Sequence, residues 1–157
     1  MVEEDIRSIF NGSSLADAPI VRVSAKNGSG LTELKNTLAI TLKDTPHRAD
    51  LDRPRLPIDR VFTIAGFGTV VTGTLLDGSL RAGDEVVILP AGLKGRVRGL
   101  QTHREKEEIA IPGSRTAVNI TGVNVDQIQR GYMLAHPRQY GVTKRIDTHF
   151  RMVADAS

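Results

Sequence analysis

The sequence contains no cysteine and no tryptophan. Without cysteine there is neither a disulfide nor a thiolate metal site. The four histidines, His47, His103, His136 and His149, stand far apart with no metal-ligand spacing, so no metal site is expected. Aromatic residues make up only 4% of the chain, so the core must be assembled from Val, Ile, Leu and Ala. No apolar run approaches the roughly 18 to 20 residues a membrane helix needs. The acidic opening MVEEDIRSIF does not read as a signal peptide, so no membrane partner is expected. Charge of one sign is also scarce: 21 basic against 18 acidic side chains leave a net +3. Nucleic acid would therefore be met by a local patch and not by a global field.

The 157 residues divide by composition. In 1–43, Val2, Ile6, Ile9 and Phe10 share one helical face, and Asn11-Gly12 supplies a stop. PIVRVS at 19–24 reads as a strand. NGSG at 27–30 breaks the chain, and a second helix follows with Leu31, Leu34, Leu38 and Leu42 on one side and Ser29 or Gly30 as its cap. This αβα piece cannot bury a core by itself. Residues 44–57, with three prolines and several charges, read as a linker. Residues 58–141 carry short β-rich runs separated by turns such as Asp77-Gly78 and Pro112-Gly113. About six strands at this spacing predict a small closed barrel, because closure removes exposed edges. The alternating KRIDTHFRMV within 142–157 reads as the first strand of a further domain.

GFGTVVTG at 66–73 has the look of a phosphate loop. It lacks the Lys that must follow the last Gly, and the β-branched Thr69-Val70-Val71-Thr72 resists the helix that a phosphate loop must open. The glycines are better read as structural. Gly66 and Gly68 bend a strand pair, and Gly73 relieves crowding at a barrel corner. A bend of this kind also lets a ligand approach the backbone.

IDRVFTIAGFGTVVTGTLLDGSLRAGDEVVILP at 58–90 resembles the second, barrel domain of translational GTPases. VSAKNGSGLTEL at 23–34 resembles their last guanine-nucleotide motif and the final helix of the GTP-binding domain. Within that family, the Asp59-Arg60 pair, the RVRGLQTH and SRTAVNITGV segments and Arg115 are similar to the selenocysteine-specific elongation factors of bacteria. The resemblance implies an elongation factor Tu domain 2-like barrel preceded by the C-terminal remnant of a GTP-binding domain. It implies a cytoplasmic parent protein that binds GTP and Mg²⁺ and delivers selenocysteinyl-tRNA to the ribosome. Recognition of an mRNA hairpin would fall to domains outside this chain. The chain itself has no phosphate-binding loop, switch residues or Asn-Lys-x-Asp, so no cofactor and no catalysis are expected of it alone.

The resemblance also carries the site residues. Asp59, Arg60 and Arg115 correspond to a pocket for the aminoacyl group, and the two arginines would face an anionic selenolate. Asp59 would orient them or accept from the amino group. Phe62, Gly66, Phe67, Gly68 and Thr72 are candidates for contact with the tRNA 3′ end. For Phe62, Phe67 and Thr72 a core or rim role stays open. Ser24, Ala25 and Lys26 match the motif that meets the guanine base. Lys94, Arg96 and Arg98 alternate on one strand face, open between a phosphate contact and a solvated barrel surface. Two other readings stand beside this one. One is the barrel of another translational GTPase, elongation factor Tu-like or an initiation factor. The other is a stand-alone protein-binding barrel.

Overall fold

A computed structural model describes residues 2–43, 45–46, 48–103 and 105–150, and the chain divides into two units at Pro46. In the first unit, α1 (Val2–Phe10) opens on Glu3, Glu4 and Asp5, which complement the positive end of the helix. Arg7 donates to the carbonyls of Ala16 and Ala18 at 2.8 and 3.0 Å, and Arg22 pairs with Glu3 at 2.7 Å. The second helix, α2 (Leu31–Lys43), starts after Gly30. There φ is +73°, and a Cβ would stand 1.9 Å from the Arg22 carbonyl oxygen, so glycine is required on both counts. PIVRVS forms no strand. A strand needs a neighbour for its backbone groups, and no described residue of this unit provides one. None of the unit's described residues is buried, and Val2, Ile9, Leu38, Ile40 and Leu42 are exposed.

The second unit is antiparallel β structure. Its strands are β1 (Arg55–Pro57), β2 (Arg60–Ile64), β3 (Gly68–Thr74), β4 (Leu80–Arg81), β5 (Glu85–Leu89), β6 (Leu93–Thr102), β7 (Glu105–Glu107), β8 (Ile109–Ala110), β9 (Arg115–Thr121) and β10 (Met133–Ala135). The main sheet runs β1-β10-β5-β6-β9-β3-β2, with β7 on β6, while β4 and β8 pair apart. The barrel expectation is borne out in class. The described strands number ten and not six, because short segments such as β4, β7 and β8 lack the length to show alternation in sequence. The chain itself joins the two ends of the sheet. Between β1 and β2, Ile58 N–H donates to the Tyr132 carbonyl and Asp59 N–H to that of Thr72. Arg55 and Leu76, just past β3, exchange both backbone hydrogen bonds.

Inward positions form the core: Leu56, Ile58, Val71, Leu75, Ile88, Val97, Val118, Ile120 and Leu134. Among buried polar groups, Thr69 Oγ1 donates to the Val123 carbonyl at 2.8 Å. β1 begins inside the proline-rich stretch read as a linker, because Leu56 is fully buried and so fixes its neighbours. That stretch is also tied down by Arg55 on Asp77, by Gln139 on the Asp52 carbonyl and by Tyr140 on that of Arg53. Residues 144–150 of KRIDTHFRMV form no strand, and 151–153 lie outside the described residues. No described helix is long and apolar enough to cross a membrane.

Candidate functional site

The residues GFGTVVTG form the tip of the β2–β3 hairpin followed by β3 itself. Phe67 N–H donates to the Ile64 carbonyl at 2.9 Å, closing a turn around Ala65 and Gly66. Gly66 and Gly68 take φ of +78° and +87°, and a Cβ at either would meet nothing within 4 Å. Both therefore serve backbone conformation. Gly73 is the reverse case: its φ is ordinary, but a Cβ would fall 2.2 Å from the Pro57 carbonyl oxygen. The strand that follows the glycines, in place of a helix, removes the phosphate-loop geometry.

Register then decides which side chains meet. Arg60 lies opposite Thr72 and Phe62 opposite Val70 on β2–β3, while Thr72 lies opposite Ala117 and Val70 opposite Asn119 on β3–β9. With Val61, Val71 and Val118 turned to the core, alternation sends Arg60, Phe62, Thr72, Arg115 and Asn119 to the outer face. At one end of that face Asp59 and Arg115 form a two-pronged ion pair, Nη1 to Oδ2 at 2.5 Å and Nη2 to Oδ1 at 3.1 Å. Thr72 Oγ1 donates to the same carboxylate at 2.8 Å. The Arg115 hydrogen bond, chiefly, holds the Asp59 carboxyl below the usual carboxylate range. Partial desolvation opposes it, and Thr72 and the charges of Arg115 and Arg60 assist it. Arg60 is exposed and makes no ion pair among the described residues. Asp59, Thr72 and Arg115 thus converge, with Arg60 acting on Asp59 through its charge.

The depressed Asp59 value has a sign. An acid whose pKa falls on folding stabilises the fold above its unfolded value, and that contribution disappears as pH falls through the folded value. Asp59→Asn should therefore cost stability at neutral pH, and the gap from wild type should shrink on acidification. The pair is part exposed, so the gap is modest and narrows in salt. Denaturant titrations from neutral to strongly acid pH check this, and a gap independent of pH would exclude it.

Further along the same face lies a groove of about 420 Å³. Ile64, Phe67 and Val70 form an apolar wall, Asn119 and Gln101 contribute amides, and Arg98 and Lys106 contribute cations. Asn119 Oδ1 is buried with no hydrogen-bond partner. Phe62, on the strand forming that wall, is 38% exposed and Phe67 51%, so neither belongs to the core. The amides were not singled out in sequence. The available signal was a lone Asn inside the β-branched run TAVNIT. Lys94, Arg96 and Arg98 do not act as one stripe. A β-bulge between Val97 and Gly99 breaks the alternation, Arg96 turns to Glu85 at 3.2 Å, and Arg98 turns to Phe67. Ser24, Ala25 and Lys26 lie in the first unit, in a turn closed by Ser24 N–H to the Ser29 carbonyl and Gly28 N–H to that of Ser24.

Residues 68–135 match the family described as elongation factor Tu domain 2. A selenocysteine-specific elongation factor of Desulfomicrobium baculatum is 49% identical over 139 residues, covering 88% of this chain and 22% of that protein. An elongation factor 1-alpha of Pyrobaculum arsenaticum is 42% identical over 109 residues, covering 69% of this chain and 23% of that protein. Among solved structures, translation elongation factor SelB of Methanococcus maripaludis, in complex with the GTP analogue GppNHp, superposes with a TM-score of 0.80 at 36% identity. The match covers 86% of this chain and 30% of that one. The chain spans less than a third of the length of each. By sequence and by fold alike it is a homologue of part of the selenocysteine-specific elongation factors, built around an elongation factor Tu domain 2 barrel.

Proposed function

We propose that the chain is the barrel-bearing part of a GTPase that delivers selenocysteinyl-tRNA to the ribosome, and that the barrel's outer face holds the aminoacyl end of the tRNA. The observation that carries this reading is the Asp59–Arg115–Thr72 cluster with Arg60 beside it. A selenol is a stronger acid than a thiol, so selenocysteine carries a selenolate at neutral pH, whereas serine in its place is neutral. A site with one carboxylate and two guanidinium groups favours the anion. The neighbouring groove suits the last nucleoside: an apolar wall for a base face, amides for its polar edges and cations at the rim for phosphate. Ser24, Ala25 and Lys26 would meet the guanine base through a turn that leaves the Ala25 and Lys26 amides out of its internal hydrogen bonds. When bound, GTP and Mg²⁺ would supply the free energy and charge neutralisation for a timed release. Their phosphate contacts would be made by other segments of the factor. Recognition of an mRNA hairpin would likewise lie elsewhere in the factor.

A fluorescence titration of the full-length factor with selenocysteinyl-tRNA and seryl-tRNA, at two salt concentrations, tests the reading. Selenocysteinyl-tRNA should bind at least about ten-fold more tightly, as one buried charge-assisted contact permits. Equal affinities would favour the general elongation factor reading, which the likeness to elongation factor 1-alpha keeps in view. Absence of binding to either tRNA would favour a protein-binding barrel.

A further inference from the structure

Arg98, like Arg60, differs from three other arginines of the barrel. Arg55, Arg96 and Arg115 each hold a carboxylate, on Asp77, Glu85 and Asp59. Arg98 holds none among the described residues. It is the extra residue of the bulge: Val97 lies opposite Ile120 and the next pair is Gly99 with Asn119. A bulge leaves its extra residue unpaired and re-aims the side chain. Here the guanidinium comes to lie 6.0 Å from the centre of the Phe67 ring, with Nη1 3.4 Å from the Phe67 carbonyl oxygen. Both contacts are weak, so most of its five N–H donors stay available. It lines the groove beside Phe67 and close to the Asn119 and Gln101 amides.

Resting on the reading above, we propose that Arg98 is a phosphate-binding residue: it pairs with a backbone phosphate of the RNA strand entering the groove. Phe67 supports it from behind, so the fork is positioned before the RNA arrives. A guanidinium meets two phosphate oxygens at once, and an aromatic ring behind it limits the orientations it must give up on binding. Glu107 and Glu108 also line the groove, so a cation placed on the Phe67 wall directs the strand along that wall.

The test is the salt dependence of aminoacyl-tRNA binding by the full-length factor. Arg98→Ala should weaken binding about three- to ten-fold and reduce the slope of log affinity against log salt by about 0.7, the share of one single-strand phosphate contact. Arg98→Lys should keep the slope, since the charge remains, while losing part of the affinity. Phe67→Ala should lower affinity at nearly unchanged slope. Melting temperatures close to wild type would exclude a folding defect in each variant. A normal slope in Arg98→Ala overturns the proposal even if affinity falls, because a merely structural role lowers affinity alone. If wild type binds selenocysteinyl-tRNA and Arg98→Ala matches it, only the Arg98 assignment fails. If wild type binds no tRNA, the functional reading fails with it.

Discussion

Replacing Gly73 with alanine is expected to lower the unfolding midpoint of the barrel by about 10–20 °C. Gly73 is buried on β3, where β1 crosses it. An added Cβ would lie 2.2 Å from the Pro57 carbonyl oxygen, 2.7 Å from Leu56 Cδ2 and 3.0 Å from Leu56 Cγ. The nearest of these is backbone and cannot rotate away. Its neighbour Leu56 is fully buried, so relief means pulling β1 off the core. Overpacking of this kind costs about 3 kcal/mol. The φ at Gly73 is ordinary, so alanine has no conformational penalty there and the whole effect is steric. Gly66→Ala is the control. It meets open space but must hold φ near +78°, at a cost of about 1 kcal/mol. Thermal melts of the two variants followed by circular dichroism should therefore rank Gly73→Ala well below Gly66→Ala, with wild type highest. A Gly73→Ala melt indistinguishable from wild type would mean that β1 does not press on β3 as described.

The two kinds of glycine show what was legible in the sequence and what was not. A bend at Gly66-Phe67-Gly68 and crowding at Gly73 could both be read from β-branched neighbours and the missing lysine. That Gly73 is pressed by Pro57 could not, because the contact joins positions 16 residues apart around the seam of the barrel. The same limit explains why β1 was not foreseen at the end of the proline-rich stretch: proline and charge around Leu56 masked one fully buried residue and the strand it anchors. PIVRVS erred in the other direction. Its β-branched composition is a preference that needs a partner strand, and no described residue provides one. For the site, adjacency in sequence was enough to couple Asp59 with Arg60, but the hydrogen bonds that Asp59 accepts come from Arg115, 56 residues on, and from Thr72. The bulge that frees Arg98 leaves no trace in the regular alternation of Lys94, Arg96 and Arg98.

That rearrangement sharpens what the charged cluster can do. Asp59 contributes one negative charge and Arg60 and Arg115 two positive ones, so the cluster carries a single net positive charge at neutral pH. Arg115 is largely compensated by its two bonds to Asp59. The uncompensated charge is that of Arg60, and the fixed donors are those of Arg115. An incoming selenolate would gain attraction from the first and directed hydrogen bonds from the second. Arg60→Ala should accordingly lower the preference for selenocysteinyl- over seryl-tRNA about ten-fold, by neutralising the cluster. Arg115→Ala should lower it by more, up to about a hundred-fold. It removes the same charge and also leaves Asp59 as an unpaired anion facing the selenolate. Affinity for seryl-tRNA should change little in either variant, since a neutral hydroxyl gains little from the field. The two losses should not add, because both arginines act on one anion through a shared carboxylate. Paired titrations of both tRNAs against the two single variants and the double variant measure each quantity. Unchanged discrimination in the double variant would sink the charged-pocket mechanism. Equal losses for both tRNAs would show that the arginines hold the RNA and not the aminoacyl group.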